Sequence, residues 1–232
     1  MATFEKNSKI FVSGHTGMLG SALVKLLQKR GCSRILLKKS SELDLRRQSE
    51  VEAFFRRERP EYVFAVAARV GGIQANMARP AEFIYDNLLI ESNIIHSAHE
   101  SNVKKLLFVS SSCSYPRLCN QPMREEDLLT GKPEDTNEGY AIAKISGMKL
   151  AEAYHRQYGA SFFSVIFPNL YGPGDNFDPE SSHVISALIR KICTAKANRS
   201  PEVDVWGSGK QRREFLYTED AADACVFLMN RL

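Results

Sequence analysis

Short, continuous apolar runs alternate with amphipathic segments along most of this 232-residue chain. Runs without internal polar positions are typical of parallel strands that are buried on both faces of a sheet. They predict strands at 9–13, 34–38, 62–67, 105–111 and 162–167, with weaker candidates at 202–206 and 214–217. The segments between them have helical periodicity and predict helices at 18–30, 47–58, 80–101, 139–158, 181–196 and 219–230. This alternation indicates an α/β fold with a doubly wound parallel sheet.

The regular alternation ends near residue 168, where the chain reads NLYGPGDNFDPESSH. Gly, Pro, Asp and Asn at this density are typical of loops. We therefore expect a first domain over residues 1–168 and a smaller, less regular region over residues 169–232. Some segments of the second region are expected to return to the first domain.

A glycine-rich loop joins the first predicted strand to the first predicted helix. Its sequence, GHTGMLG, places Gly14, Gly17 and Gly20 three residues apart. The first glycine permits a tight turn, the second lets the backbone approach a pyrophosphate, and the third lets helix and strand pack closely. The helix N-terminus adds free N–H groups and a positive dipole. The loop predicts a Rossmann dinucleotide site, with these candidate cofactor-binding residues: Gly14, His15, Thr16, Gly17, Met18, Leu19 and Gly20.

The residues at the end of the second predicted strand should determine which dinucleotide binds. An NAD site usually places an acid there, about 20 residues past the glycines, to hold the ribose 2′-hydroxyl. This chain has Lys38 and Lys39 instead. Two ammonium groups suit a 2′-phosphate, so the sequence favours NADP. A pair of solvated surface lysines without a role in binding would give the same sequence pattern. Asp44, followed by Leu45, is a candidate for contact with the adenine amine.

Three residues have the spacing of a hydride-transfer site: Ser111, Tyr140 and Lys144. Tyr140 and Lys144 are four residues apart in a predicted helix, so both project from one face. A neighbouring ammonium favours phenolate, and we expect it to lower the pKa of Tyr140 from its usual value. Such a tyrosine can give a proton to a carbonyl oxygen while hydride reaches the carbon. Ser111 ends an apolar strand, where its hydroxyl could hold the same oxygen.

Composition narrows the class of protein. The net charge of +4 is spread along the chain, and a diffuse charge does not suggest nucleic acid. No apolar run is long enough for a membrane span. The five cysteines are unclustered and lack metal-ligand spacing, so we expect no metal site, free thiols and a cytoplasmic location.

The motifs GHTGMLG, VGGIQAN, SSCSYP, YAIAK, NLYGPGDNF, SHVISALI and VWGSGKQRREF together resemble those of the GDP-L-fucose synthase family, a group of extended short-chain dehydrogenases/reductases. The similarity runs from Lys9 to about Leu228. The glycine loop with YxxxK specifies only the superfamily, whereas SSCSYP with NLYGPGDNF and SHVISALI is much more specific. The resemblance implies that a GDP-4-keto-6-deoxy sugar is epimerised at carbons 3 and 5. NADPH then reduces the ketone at carbon 4.

The resemblance also implies individual roles. Cys113 would be the base and His183 the acid of the epimerisation, although a free cysteine is more often a small buried hydrophobe and His183 could equally cap a helix. Ser111, Tyr140 and Lys144 match the reduction triad. Lys191, Trp206 and Arg213 match positions that contact the GDP-sugar. Tyr140, Lys144 and His183 would also contact the cofactor, together with the residues that line the nicotinamide side: Val109, Ser110, Ser111, Ser112, Phe167, Pro168, Asn169 and Leu170.

Two departures from the family pattern bear on these expectations. Thr16 stands where bacterial relatives often have an arginine, and Ser40 also replaces a basic residue. The family's substrate domain continues past the position of Leu232, so residues 169–232 would form part of it.

Two other functions remain open. One is a different nucleotide-sugar enzyme, such as a 4-epimerase or 4,6-dehydratase, and the other is a non-catalytic cofactor-binding protein.

A homodimer is the expected assembly. The helices at 80–101 and 139–158 have broad apolar surfaces, and two such helices from each subunit commonly form a four-helix interface in this superfamily. Ordinary core burial would explain the same pattern.

Overall fold

Five parallel strands form the central sheet in the computed structural model, which describes residues 5–178 and 181–232. In chain order they are β1 (Ile10–Ser13), β2 (Ile35–Leu36), β3 (Tyr62–Ala65), β4 (Lys105–Ser111) and β5 (Phe162–Phe167). Their order across the sheet is β2-β1-β3-β4-β5, with every pair parallel. The chain leaves β1 to one side for β2 and crosses to the other side for β3. This reversal is the topological switch point, where ligands bind in open α/β sheets.

Helices cover both faces of the sheet. They are α1 (Met18–Lys29), α2 (Gln48–Glu58), α3 (Ile73–Ala78), α4 (Pro80–Glu100), α5 (Glu138–Tyr158), α6 (Val184–Ala197) and α7 (Thr218–Arg231). On one face α1 and α7 pack together over a core that includes Leu23, Leu27 and Met229. On the other face α2, α4 and α5 cover a core that includes Phe54 and Ile95. Burial on both sides explains why the strands are continuous apolar runs. The predicted doubly wound α/β fold is confirmed.

Several predicted boundaries are wrong. The second strand has two residues instead of five, because it lies at the edge of the sheet and pairs only with Ile10 and Phe11. The predicted strand at 202–206 is irregular, and Val205 and Trp206 in it are exposed. Helix α3 was missed. A further short strand, β6 (Asn169–Tyr171), pairs in parallel with β7 (Phe215–Tyr217) in a separate two-stranded sheet.

Because the strands are parallel and in register, the ends of β1, β4 and β5 lie at the same edge of the sheet. Ser111 at the end of β4 is paired with Phe167 at the end of β5. At the end of β1, the Ser13 hydroxyl accepts hydrogen bonds from the backbone N–H groups of Val66 and Ala67, at 3.0 and 3.1 Å. The glycine loop and the segment after β4 therefore open onto the same carboxyl edge. Within the described ranges, no helix is both long and apolar enough to cross a bilayer.

Candidate functional site

The glycine loop has the close backbone contacts that its spacing predicts. Gly14 has a positive φ of 69°, and a Cβ there would lie 2.8 Å from the Cα of Ala67. The N–H of Gly17 donates to the carbonyl of Gly14 at 3.0 Å and closes the turn. A Cβ on Gly20 would lie only 2.1 Å from that same carbonyl oxygen. Side chains at Gly14 and Gly20 are therefore excluded by the fold itself.

The start of α1 suits an anionic group. Gly17 is its N-cap residue, with no side-chain cap and no acid in the first turn. The first N–H groups of the helix are thus left for a ligand, and the helix dipole favours negative charge there. Thr16 is exposed, His15 and Met18 are half-buried, and Leu19 is buried in the core. The loop fits a dinucleotide pyrophosphate, with its backbone supplying the contacts.

Glu42, the first acid after the lysine pair, holds the residues that follow β2. The Glu42 carboxylate accepts from the backbone N–H of Lys39 at 3.0 Å and lies 3.5 Å from the ammonium of Lys38. These contacts lower the pKa of Glu42, the backbone hydrogen bond being the largest cause. The Asp44 carboxylate accepts from the Arg46 guanidinium at 2.9 and 3.0 Å, which lowers the pKa of Asp44. Both carboxylates therefore have cationic partners here.

Ser111, Tyr140 and Lys144 meet at the end of β4. Tyr140 and Lys144 lie one turn apart near the start of α5, and the ammonium is 5.8 Å from the centre of the Tyr140 ring. Lys144 is almost fully buried and donates to the carbonyl of Val109 at 3.0 Å. The Nζ atom also lies 3.0 Å from Oε1 of Glu91, a residue of α4 that is equally buried. The lysine thus connects the strand, the tyrosine and α4.

The expected lowering of the Tyr140 pKa is wrong for this structure. The packing around the phenol raises its pKa, and the negative charges of Cys113 and Glu91 raise it further, while a hydrogen bond with Ser111 opposes the rise. Burial disfavours the charged form of any acid. The nearby Lys144 ammonium, which is paired with Glu91, does not lower the pKa below its usual value. Tyr140 is therefore held as a phenol, the form that can donate a proton.

Cys113 lies in a single turn of 3₁₀ helix, Ser112–Ser114, directly after β4. Its backbone N–H donates to the Ser111 hydroxyl at 3.3 Å, which holds the turn against the strand end. Its sulfur accepts a hydrogen bond from the side-chain amide of Asn137, the N-cap residue of α5, at 3.2 Å. The half-buried thiol thus shares its surroundings with Tyr140. The amide donor fixes the position of the sulfur beside the triad.

The residues predicted to line the nicotinamide side lie at the ends of β4 and β5. Val109 is buried, and its carbonyl binds Lys144. Ser110 is also buried, with its hydroxyl 3.3 Å from that of Ser114. Ser112 is half-buried. Of the segment after β5, Phe167 is buried, and Pro168, Asn169 and Leu170 are half-buried.

His183 is not in contact with this cluster. It is the N-cap residue of α6, exposed, and among the described residues no hydrogen bond or ion pair joins its ring to Cys113 or Tyr140. The segment before it docks on the loop after β3, where the N–H of Gly72 donates to the carbonyl of Ser181 at 3.0 Å. A Cβ on Gly72 would lie 2.9 Å from the carbonyl oxygen of Ser182. This docking fixes the start of α6.

Lys191 and Trp206 are brought together, whereas Arg213 is not joined to them. The Lys191 ammonium lies 4.4 Å from the centre of the Trp206 indole and donates to the carbonyl of Asp204 at 2.9 Å. The indole is 65% exposed and so is available for stacking. Arg213 is exposed and bonds only the neighbouring carbonyl of Arg212 within the described part of the chain.

Two residues of the cluster, Glu91 and Asn137, were missed. The signal for Glu91 was an acid inside the apolar run LLIESNII of a predicted buried helix, since a buried acid is almost always paired. For Asn137 only its place just before the YxxxK helix was visible, which is an ordinary capping position.

The chain matches the model of the NAD dependent epimerase/dehydratase family over residues 10–232. It is 55% identical to GDP-L-fucose synthase 1 of Arabidopsis thaliana, over 98% of this chain and 70% of that protein. It is 52% identical to GDP-L-fucose synthase of Escherichia coli strain K12, over 95% of this chain and 69% of that one. A solved GDP-L-fucose synthetase from Naegleria fowleri bound to NADP superposes with a TM-score of 0.89 at 34% identity, covering 99% of this chain and 75% of that one.

These relatives confirm the resemblance drawn from the motifs, and the glycine loop with the Ser111, Tyr140 and Lys144 cluster accounts for it structurally. The chain belongs to the NAD dependent epimerase/dehydratase family.

Proposed function

We propose that this chain epimerises GDP-4-keto-6-deoxy-D-mannose at carbons 3 and 5 and reduces its 4-ketone with NADPH to give GDP-L-fucose. The observation that carries the proposal is one cluster at the end of β4 that holds both a thiol and a hydride-transfer triad. The names of the relatives at 55% and 52% identity support the same reaction.

Epimerisation needs proton removal and return on opposite faces of the sugar ring. The ketone acidifies the hydrogens on both flanking carbons, so one base and one acid can serve both inversions through enolates. Cys113 is the proposed base, and its support is positional: the side-chain amide of Asn137 donates to its sulfur at 3.2 Å and holds the thiol at the end of β4. His183 is the proposed acid. The fixed start of α6 supports a role for that residue at the rim of the site.

Reduction needs a proton at the ketone oxygen when hydride reaches carbon 4. NADPH supplies the hydride. Tyr140, held as a phenol, gives the proton to the oxygen, and the Ser111 hydroxyl orients that oxygen beside it. The Lys144 ammonium stabilises the negative charge that the tyrosine acquires. In this proposal Lys191, Trp206 and Arg213 hold the GDP part by cation and stacking contacts.

NADP is the proposed cofactor, and the NADP-bound structural relative supports it. The glycine loop would hold the pyrophosphate, and Lys38 and Lys39 the 2′-phosphate. We further place the protein in the cytoplasm as a homodimer.

The test is incubation of the chain with NADPH and GDP-4-keto-6-deoxy-D-mannose, followed by identification of the sugar by NMR. GDP-L-fucose supports the proposal. A sugar reduced at carbon 4 but not inverted at carbons 3 and 5 would indicate a reductase alone. In a parallel incubation with GDP-mannose, inversion at carbon 4 or loss of water would identify a 4-epimerase or a 4,6-dehydratase instead. Tyr140→Phe is the matched control, because it removes one hydroxyl and should abolish NADPH consumption.

A further inference from the structure

A buried carboxylate lies behind the catalytic lysine. Glu91 of α4 and Lys144 of α5 are each 2% exposed, and Oε1 lies 3.0 Å from Nζ. Two charges removed from water this completely need each other, because each ion loses its hydration on burial. Oε2 of Glu91 has no hydrogen-bond partner among the described residues. A pair this costly is unusual in a core whose other members are mainly apolar.

Neighbouring residues provide both contacts and space for the buried pair. The Lys144 ammonium lies 4.7 Å from the centre of the Phe108 ring, in a cation–π contact, and donates to the carbonyl of Val109. The ammonium is thus held by a carbonyl, an aromatic ring and the Glu91 carboxylate at once. A Cβ on Gly147 would lie 2.6 Å from Oε2 of Glu91 and 2.4 Å from Cζ of Phe108. A glycine inside α5 is therefore the condition for the carboxylate to fit.

We propose that Glu91 is a positioning residue for the reduction: its carboxylate holds the Lys144 ammonium next to Tyr140 and balances the charge of that ammonium there. This inference rests on the proposed function. The ionisable groups that face Tyr140 are Glu91 from α4, Lys144 from its own helix and Cys113 from the turn after β4. Glu91 is the only one of the three that is not already assigned to the chemistry.

Glu91 and Lys144 act on the Tyr140 pKa in opposite directions. The negative charge of Glu91 raises the pKa of Tyr140, so the phenol keeps its proton until the ketone is in place. Lys144 acts in the opposite sense and stabilises the phenolate that remains after proton transfer. Burial raises the pKa of Glu91 itself, and Lys144 opposes this rise. Each partner therefore compensates the other for the hydration lost on burial.

The experiment follows the ionisation of Tyr140 directly. Tyrosine labelled with ¹³C at Cζ is incorporated, NADP⁺ is added, and the Tyr140 signal is assigned by its loss in Tyr140→Phe. Glu91→Gln should lower the pH midpoint of this signal by about one unit or more, because a negative charge is removed at short range. Glu82→Gln, an exposed acid on the same helix that pairs with Arg69, should leave the midpoint unchanged.

A Glu91→Gln midpoint equal to that of the wild type would overturn the proposal. Should Glu91→Gln not fold, because Lys144 would be buried unpaired, the comparison moves to Glu91→Asp, which keeps the charge but withdraws it by one methylene group. Glu91→Asp should shift the midpoint in the same direction by a smaller amount, and no change would count against Glu91 equally. Failure of the wild-type chain to form GDP-L-fucose would reject the proposed function alone, since this titration needs no sugar.

Discussion

Two functional side chains meet at the end of β4. The packing around the Tyr140 phenol raises its pKa, and the negative charges of Cys113 and Glu91 raise it further. Tyr140 is therefore held as a phenol, while the Cys113 sulfur accepts a hydrogen bond from the side-chain amide of Asn137 at 3.2 Å. The proton donor of the reduction and the proposed base of the epimerisation are thus separate groups in one cluster.

The two chemical stages should separate by mutation. Cys113→Ser should impair epimerisation, because a hydroxyl is a far poorer base than a thiol, and should leave reduction of the unepimerised ketone intact. Tyr140→Phe should do the reverse, with solvent deuterium still entering carbons 3 and 5 and little NADPH consumed. NMR of the sugar and NADPH absorbance measure both. GDP-L-fucose formed at the normal rate by Cys113→Ser would make the thiol a packing residue.

Asn137 should control the reactivity of Cys113. Replacing it with alanine removes the amide donor at 3.2 Å and should slow alkylation of Cys113 by iodoacetamide about tenfold, the usual value of a hydrogen bond to a charged group. Peptide mass spectrometry measures each cysteine separately. The exposed Cys193 is the internal control, and its rate should not change. Equal slowing at both sites would indicate a general structural effect instead.

At the scale of elements, one turn of glycines serves both packing and binding. Gly20 is required by the fold, because its neighbour is the carbonyl of Gly14. At Gly17 a Cβ would lie 3.4 Å from that carbonyl, an ordinary contact, so the glycine is required only by what approaches the loop from outside. The two glycines look equivalent in sequence, yet each is required for a different physical reason.

Alanine at these two glycines should therefore have different effects. Gly20→Ala should destabilise the protein by about 1–3 kcal/mol, as overpacking usually does, whereas Gly17→Ala should keep stability within about 0.5 kcal/mol. Gly17→Ala should nevertheless weaken NADPH binding, because its methyl group would meet the pyrophosphate. Urea unfolding and NADPH fluorescence measure the two quantities. Normal NADPH affinity in Gly17→Ala would place the cofactor elsewhere.

The loop after β2 should set cofactor choice. Replacing Lys38 and Lys39 with alanine should weaken NADPH binding roughly ten- to a hundredfold, the value of lost charge-assisted hydrogen bonds. NADH binding should change little, because it has no 2′-phosphate. Glu42→Gln should strengthen NADPH binding, measured by the same cofactor titration, because it releases Lys38 from its ion pair. Equal losses for both cofactors would make the lysines surface residues only.

At the scale of the whole molecule, α4 and α5 keep large apolar side chains exposed. Tyr85 on α4 and Ile142 on α5 are large apolar side chains that remain exposed, at 64% and 37%. Exposed apolar groups on two adjacent helices are typical of an interface. They agree with the four-helix dimer that the resemblance implies.

We expect light scattering at micromolar concentration to give the mass of a homodimer. Lysine at Tyr85 and Ile142 should convert it to a monomer, since it places charges in an apolar contact. Lysine at Leu118, an apolar residue that is 90% exposed in the loop after β4, should leave the mass unchanged. A monomeric wild type would contradict the proposed assembly.

The sequence by itself determined the features that depend on neighbours along the chain. Strand and helix type follow from local periodicity, the glycine turn from its three-residue spacing, and the Tyr140–Lys144 geometry from one turn of helix. Because parallel strands end at one edge, the order of elements also placed Ser111 and Cys113 near the glycine loop.

Only the tertiary structure decided what surrounds those groups. Glu91 meets Lys144 because α4 packs on α5, and Asn137 meets Cys113 across the loop that follows β4. The direction of the Tyr140 pKa depends on these contacts and on burial, which no local pattern records. The short edge strand and the irregular 202–206 segment have the same origin: strand pairing is settled by a partner that lies elsewhere in the chain.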